Sequence, residues 1–218
     1  MRGLRARRVP DVDERTTRLA LQSVSLLLGY PSQELLEQLP VLRRVADGLP
    51  EQAAAPLRRL CDHLAATTLG QAQADYTDVF DLRRRCCLYL TYFSHGDTRQ
   101  RGMALLRFSH AYKGSGMEFL GGELPDHLGV VCEFAATADL ELGLRLLNEN
   151  RGAIELVRSA LVDAGSLYCD VLDVVRAALP EAAPRDVEKA LQLARTGPPE
   201  EDVGLEPFGP PELMGARR

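Results

Sequence analysis

Apolar residues return every three or four positions along almost the whole chain, and that period decides the fold class before any other feature is considered. Leu21, Val24, Ser25 and Leu28 recur this way, as do Leu57, Leu60, Cys61 and Leu64. Later runs repeat the pattern: Leu128, Val131, Cys132 and Ala135; Leu140, Gly143, Leu144 and Leu147; Tyr168, Val171, Leu172 and Val175. Such spacing lines one face of a helix, whereas a half-buried strand would alternate apolar and polar residues, and no segment sustains that alternation. The expectation is an all-α chain. With 218 residues it is long enough to bury one sizeable core, so a single helical domain over residues 15–195 is predicted.

Turn and capping residues divide the pattern into separate helices. Gly29-Tyr30-Pro31 stops the first, Ser32 is placed to cap the second by accepting from a free backbone N–H, and Gly48-Leu49-Pro50 ends it. Asp97 with Gln100 three residues on has capping-box spacing, which predicts a helix from about Thr98 to Lys113 ahead of Gly114-Ser115-Gly116. Asp126 and Asp139 are expected to cap the two helices after that. Residues 1–14 are basic and read as a flexible N-terminus. From Thr196 the chain turns to Gly, Pro and Glu and reads as a flexible tail over 196–218. Within it, Val203 to Phe208 is apolar enough to dock, although composition alone favours solvation.

The balance of charge narrows the function classes. A net charge of −5 and a pI near 5.5 argue against a general nucleic-acid binder, which needs concentrated Lys and Arg, and suit a basic peptide partner. Arg7-Arg8 is followed by Asp11, Asp13, Glu14 and Arg15 in place of an apolar export segment, and no run approaches the roughly 20 apolar residues of a membrane span. A cytoplasmic protein without stable membrane insertion is expected. Five cysteines, Cys61, Cys86, Cys87, Cys132 and Cys169, lack CxxC spacing and read as reduced thiols in a core.

No GxSxG, HExxH, P-loop or GxGxxG motif occurs. Two groupings can carry chemistry, His95-Gly96-Asp97 and Asp126-His127, because imidazole and carboxylate together serve as metal ligands or as base and orienter. Capping and hydrogen bonding explain the same residues. A metal-dependent helical hydrolase built on His95, Asp97, Asp126 and His127 is the enzymatic alternative; the favoured expectation is a binding protein with no catalytic residue, metal or cofactor. Eight of the twelve Phe and Tyr residues lie between Tyr76 and Phe119, in a region that also holds Arg83, Arg84, Arg85, Arg99, Arg101 and Arg107. Such a region makes either a core with a solvated rim or a groove with apolar walls and charged edges.

Three ordered segments resemble the NarJ-type nitrate reductase assembly chaperones. They are Tyr76-Thr77-Asp78-Val79-Phe80-Asp81, then Ser94-His95-Gly96-Asp97-Thr98-Arg99-Gln100-Arg101-Gly102-Met103-Ala104, then Gly122-Glu123-Leu124-Pro125-Asp126-His127-Leu128. They follow the family pattern Y-x-x-x-F-D, H-G-(E/D)-(S/T)-R-x-R-G-x-A and E-L-P-D-H-L, and Leu27-Leu28-Gly29-Tyr30-Pro31 is similar to the family's opening helix and Tyr-Pro stop. The likeness covers about Leu19 to Thr137. The Arg83-Arg84-Arg85-Cys86-Cys87 run departs from the pattern and leaves open a redox or metal role for the paired cysteines.

The resemblance implies a single-domain helical bundle of the TorD-like chaperone type. It also implies a partner, the apo form of the nitrate reductase catalytic (alpha) subunit, bound through its N-terminal peptide and held while molybdenum cofactor is inserted and before membrane attachment. A TorD-like chaperone for another molybdoenzyme is the alternative within the same fold. Residues carried over as client-binding are Tyr76, Phe80, Asp81, His95, Arg99, Arg101, Glu123, Asp126 and His127, with Phe108 and Tyr112 as groove walls. About half of them are expected to brace the fold instead.

Overall fold

The structure is a computed structural model that describes residues 14–118 and 122–181. The predicted basic N-terminus up to residue 13, Phe119, and the tail over 196–218 lie outside the described residues. Among the described residues there are ten α-helices and no strand: α1 Glu14–Leu27, α2 Gln33–Asp47, α3 Glu51–Ala65, α4 Leu69–Tyr76, α5 Tyr92–His95, α6 Arg99–Gly114, α7 Leu128–Thr137, α8 Leu140–Glu149, α9 Arg151–Asp163 and α10 Cys169–Ala178. The all-α expectation holds.

Helix α7 forms the centre. Its sequence LGVVCEFAAT is apolar nearly all round, so it is buried on several sides, against α1 on one and α8 on another. α1 presents Thr17, Ala20, Leu21, Val24 and Leu27 inward and also packs on α10, which in turn leans on α3 and α9. α2 and α3 pair closely across the Gly48-Leu49-Pro50 turn, with an ion pair from Arg43 Nε to Asp62 Oδ1 at 2.6 Å on the outside. Arg59 grips Asp170, in the first turn of α10, through two bonds of 2.8 Å. Arg158 to Asp173 (2.6 Å) and Arg176 to Glu155 (2.8 Å) tie α9 to α10.

Two contacts fix the approach of helices to α7. Arg18 of α1 donates to the carbonyls of Ala135 (3.3 Å) and Ala136 (2.9 Å), so its cation meets carbonyls that the end of α7 leaves unpaired. Where α8 meets α7, a Cβ added at Gly143 would stand 2.4 Å from the Cβ of Ala135 and 2.6 Å from its Cα. Only a glycine lets α8 come this near.

Ser32 and Asp139 cap as expected, accepting from Leu35 N at 3.1 Å and Leu142 N at 2.9 Å. The two other predicted aspartate caps are corrected. The residue before α6 is Thr98, not Asp97, and no side chain caps that end; Asp97 instead accepts from Arg101 Nη1 at 3.1 Å. The residue before α7 is His127, and Asp126 turns away from the helix into the protein. In both places donors other than the N–H groups of the helix end, a guanidinium in one case and the Thr91 backbone N–H and hydroxyl in the other, hold the carboxyl group.

Between α4 and α6 the chain leaves regular helix. Thr77–Asp81 is one π-helical turn, Arg84–Cys86 one 3-10 turn, and Tyr89 sits in an isolated bridge before a turn at Leu90-Thr91 leads into α5. This irregular stretch carries or borders all three motif segments.

Candidate functional site

Residues Leu88–Leu90 pair with the segment ahead of α7. Leu90 N donates to Asp126 O at 3.1 Å and Leu128 N to Leu88 O at 2.9 Å, a single antiparallel bridge that sets Tyr89 opposite His127. Asp126 fastens it: its Oδ2 accepts from Thr91 N at 3.0 Å and from Thr91 Oγ1 at 2.6 Å, and the side chain is wholly buried. Asp126 Oδ1 has no partner among the described residues. Tyr112 of α6 donates its hydroxyl to Pro125 O at 2.5 Å and so ties α6 to the same clasp.

Tyr89 is the hub of the surface above it. Its hydroxyl donates to Glu123 Oε2 at 2.6 Å, its ring meets His127 edge-on at 5.4 Å, and the Arg101 guanidinium lies 5.6 Å from its centroid and 5.8 Å from that of Tyr92. A cation over two aromatic faces is held by their quadrupoles, and Asp97 balances its charge. Burial, aided by Glu123, pushes the Tyr89 phenol above its ordinary range, so it stays a donor.

His127 is buried, and burial drives its imidazole below the ordinary histidine value although Glu123 and Asp126 pull the other way. The folded state therefore holds it neutral near pH 7. Below pH 6.5 the unfolded chain takes up a proton that the folded chain refuses, so this group lowers stability progressively from there down to its folded pKa and has no effect above. Urea midpoints for the parent chain should fall between pH 7.5 and 5.5 by more than those of His127→Gln; parallel curves would show that His127 does not titrate this way.

A second cluster lies around the π-helical turn. Tyr76 meets Phe80 at 4.7 Å, Tyr168 meets both at 5.8 and 5.0 Å, and Tyr30 stands edge-on to Tyr76 at 5.5 Å. The Tyr76 hydroxyl donates to Leu28 O at 2.9 Å, which pins the cluster to the end of α1. Tyr30 remains 54% exposed and Leu82 72%, so an inner core of rings continues outward into an apolar rim. Phe80 lies within the π-helical turn Thr77–Asp81, and such turns are frequent at functional sites.

The structure distributes the predicted site residues between these clusters. Arg101, Glu123, Asp126 and His127 come together with Tyr112 beneath them, and Tyr76 and Phe80 form the second group with Asp81 exposed after it. His95 is half-buried at the end of α5, and Arg99 is exposed at the start of α6. Phe108 and Tyr112 are buried inside, 3% exposed each, and Tyr76, Phe80, Asp126 and His127 are buried too. Tyr89, Thr91, Tyr30 and Tyr168 join the clusters although none of them is among the residues carried over as client-binding. The first two sit where an isolated bridge forms, which no periodicity announces.

Cys86 is buried and Cys87 half-buried, both are free thiols, and burial raises both above the ordinary cysteine value, which suppresses thiolate formation. Among the described residues no group of three or more His, Cys, Asp and Glu is placed to hold a metal, and no helix is long and apolar enough to cross a membrane.

A helical bundle with its motif loops clasped beside the central helix has the fold of redox-enzyme maturation proteins: a putative member from Archaeoglobus fulgidus superimposes with a TM-score of 0.55, at 22% identity, over 81% of this chain and 97% of that one. The chain itself belongs to the nitrate reductase delta subunit family, whose model matches residues 46–172, the NarJ-type group that the motifs resemble. The Bacillus subtilis relative named probable nitrate reductase molybdenum cofactor assembly chaperone NarJ is 30% identical over 179 residues, 80% of this chain and 96% of that protein. The nitrate reductase-like protein NarX of Mycobacterium tuberculosis (strain ATCC 25618 / H37Rv) is 40% identical over 154 residues, 71% of this chain. The match spans only 23% of NarX.

Proposed function

We propose that this chain is a system-specific chaperone that binds the apo catalytic subunit of a respiratory nitrate reductase through its N-terminal segment and assists molybdenum cofactor insertion, acting in the cytoplasm and without catalysis of its own. The observation that carries the reading is the clasp: the second and third motif segments, apart in sequence, are joined by Tyr89, Arg101, Glu123 and Asp126 into one shaped surface. The family of the chain and the names of its relatives supply the client.

The buried members, Tyr76, Phe80, Phe108, Tyr112, Asp126 and His127, hold that surface in shape. Contact with a client falls to the exposed and half-exposed ones, Asp81, His95, Arg99, Arg101 and Glu123, together with Tyr30, Leu82 and Tyr89. An amphipathic client helix would lay its apolar face on the Tyr30–Leu82 rim while Asp81 and Glu123 steer basic groups. Calorimetry with a peptide from the N-terminus of the catalytic subunit should show one-to-one binding and a negative heat-capacity change, the mark of apolar burial. Absence of heat at high micromolar peptide, confirmed by a separation method, would defeat the proposal.

A further inference from the structure

Helix α6 is an outlier in this bundle. It buries only Phe108 and Tyr112, and its outer face carries Met103, 71% exposed, and Leu106, 48% exposed. Its sixteen residues include Arg99, Arg101, Arg107 and Lys113 and not one Asp or Glu. Arg107 reaches out of the helix to Glu149 at the end of α8, at 2.5 Å. Lys113 and His110 are exposed on the same side. An apolar pair set among cations, at i and i+3 with basic groups a turn away, matches a segment that carries apolar residues among carboxylates.

Such a segment occurs in this chain. Residues 200–208, Glu-Glu-Asp-Val-Gly-Leu-Glu-Pro-Phe, hold four carboxylates, three large apolar residues and no cation. The path to it starts beside α6: Arg151 donates to Pro180 O, and Arg151 lies two residues beyond Glu149, which Arg107 holds. From there residues 182–199 provide up to about 60 Å of extended chain, against the roughly 24 Å length of α6. Reach does not limit the contact.

We infer that the outer face of α6 is a docking surface for an acidic, apolar peptide segment and that residues 200–208 of the same chain occupy it, with Val203, Leu205 and Phe208 covering Met103 and Leu106 and the carboxylates facing Arg107 and Lys113. A tether of this length gives an effective concentration of about 1 mM, so a weak contact suffices to keep the face covered most of the time.

Met103 reports occupancy directly, because its thioether is oxidised by dilute hydrogen peroxide only while exposed. Peptide-resolved mass spectrometry should show Met103 oxidised about fivefold faster in a chain ending at Pro198 than in the full chain, the factor expected for a face covered about four-fifths of the time. Glu200→Gln, Glu201→Gln, Asp202→Asn and Glu206→Gln in one full-length chain should behave like the truncation. Unchanged hydrogen exchange in α1 and α10 shows that each variant is folded. Equal oxidation in the full and shortened chains overturns the inference and leaves the face to an outside partner. Protection that survives neutralisation of the four carboxylates overturns the charge match. Protection that grows with protein concentration assigns the segment to a second copy and overturns the contact within one chain.

Discussion

Asp126→Ala is expected to destabilise the protein by about 3 kcal/mol, because it leaves the backbone N–H and the hydroxyl of Thr91 buried without an acceptor, each at roughly 1–3 kcal/mol. Thr91 is 3% exposed and Asp126 entirely buried, so water cannot easily replace the lost bonds. For a chain of this size the thermal midpoint should fall by roughly 10 °C. The loss is coupled: Thr91→Val removes one of the two donors, and the double variant should cost clearly less than the sum of the singles. The same variant should weaken the client peptide, since Tyr89, Glu123 and Arg101 are aligned only while Leu88–Leu90 pairs with Asp126 and Leu128. Additive costs in the cycle, or a midpoint within about 2 °C of the parent, would remove Asp126 from the role of fastener.

The second large effect is expected at Gly143. A methyl group there collides with the Cβ of Ala135 at 2.4 Å and with backbone at 2.6 and 3.0 Å, so α8 must move away from α7. Overpacking usually costs about 1–3 kcal/mol, and a clash with backbone belongs at the upper end because no rotamer change relieves it. Gly143→Ala should therefore shift the urea midpoint by an amount corresponding to roughly 3 kcal/mol with little change in slope. Ala135→Gly in the same chain removes the nearest atom but leaves the Cα, so rescue should be partial. Full rescue would mean that the backbones are not the limiting contact.

Much of the fold is legible because helix burial is a local, repeating property. Of the residues read as the first helical face, Leu21 and Val24 of α1 and Leu28 just after it are buried and Ser25 is half-buried, and Ser32 and Asp139 cap where spacing placed them. Asp97 and Asp126 mislead for a specific reason. Spacing shows that a carboxyl group is near a helix start, whereas its choice of partner depends on donors brought from elsewhere, Arg101 in one case and Thr91 in the other. The clasp is illegible for the same cause, since Leu88–Leu90 is too short to show alternation and its partner lies over thirty residues away. Aromatic enrichment marked the right region without separating core from rim: Phe108 and Tyr112 went inside, and the exposed ring belongs to Tyr30, which had served only as a helix stop. The π-helical turn at Thr77–Asp81 left no trace in the pattern at all.

The clasp also determines how the molecule comes apart. It joins Leu88–Thr91 to Asp126–Leu128, and between those two ends the chain makes a closed excursion that contains α5 and α6, which insert only Phe93, Phe108 and Tyr112 among the buried residues of their helices. Releasing it costs a few hydrogen bonds and three rings, far less than parting α1 from α7. The described residues 92–118 are thus anchored by fewer buried side chains than the α1–α7–α10 core, and local opening is expected there first while that core stays folded. That lightly anchored stretch carries the whole of the second signature motif and leads into the third.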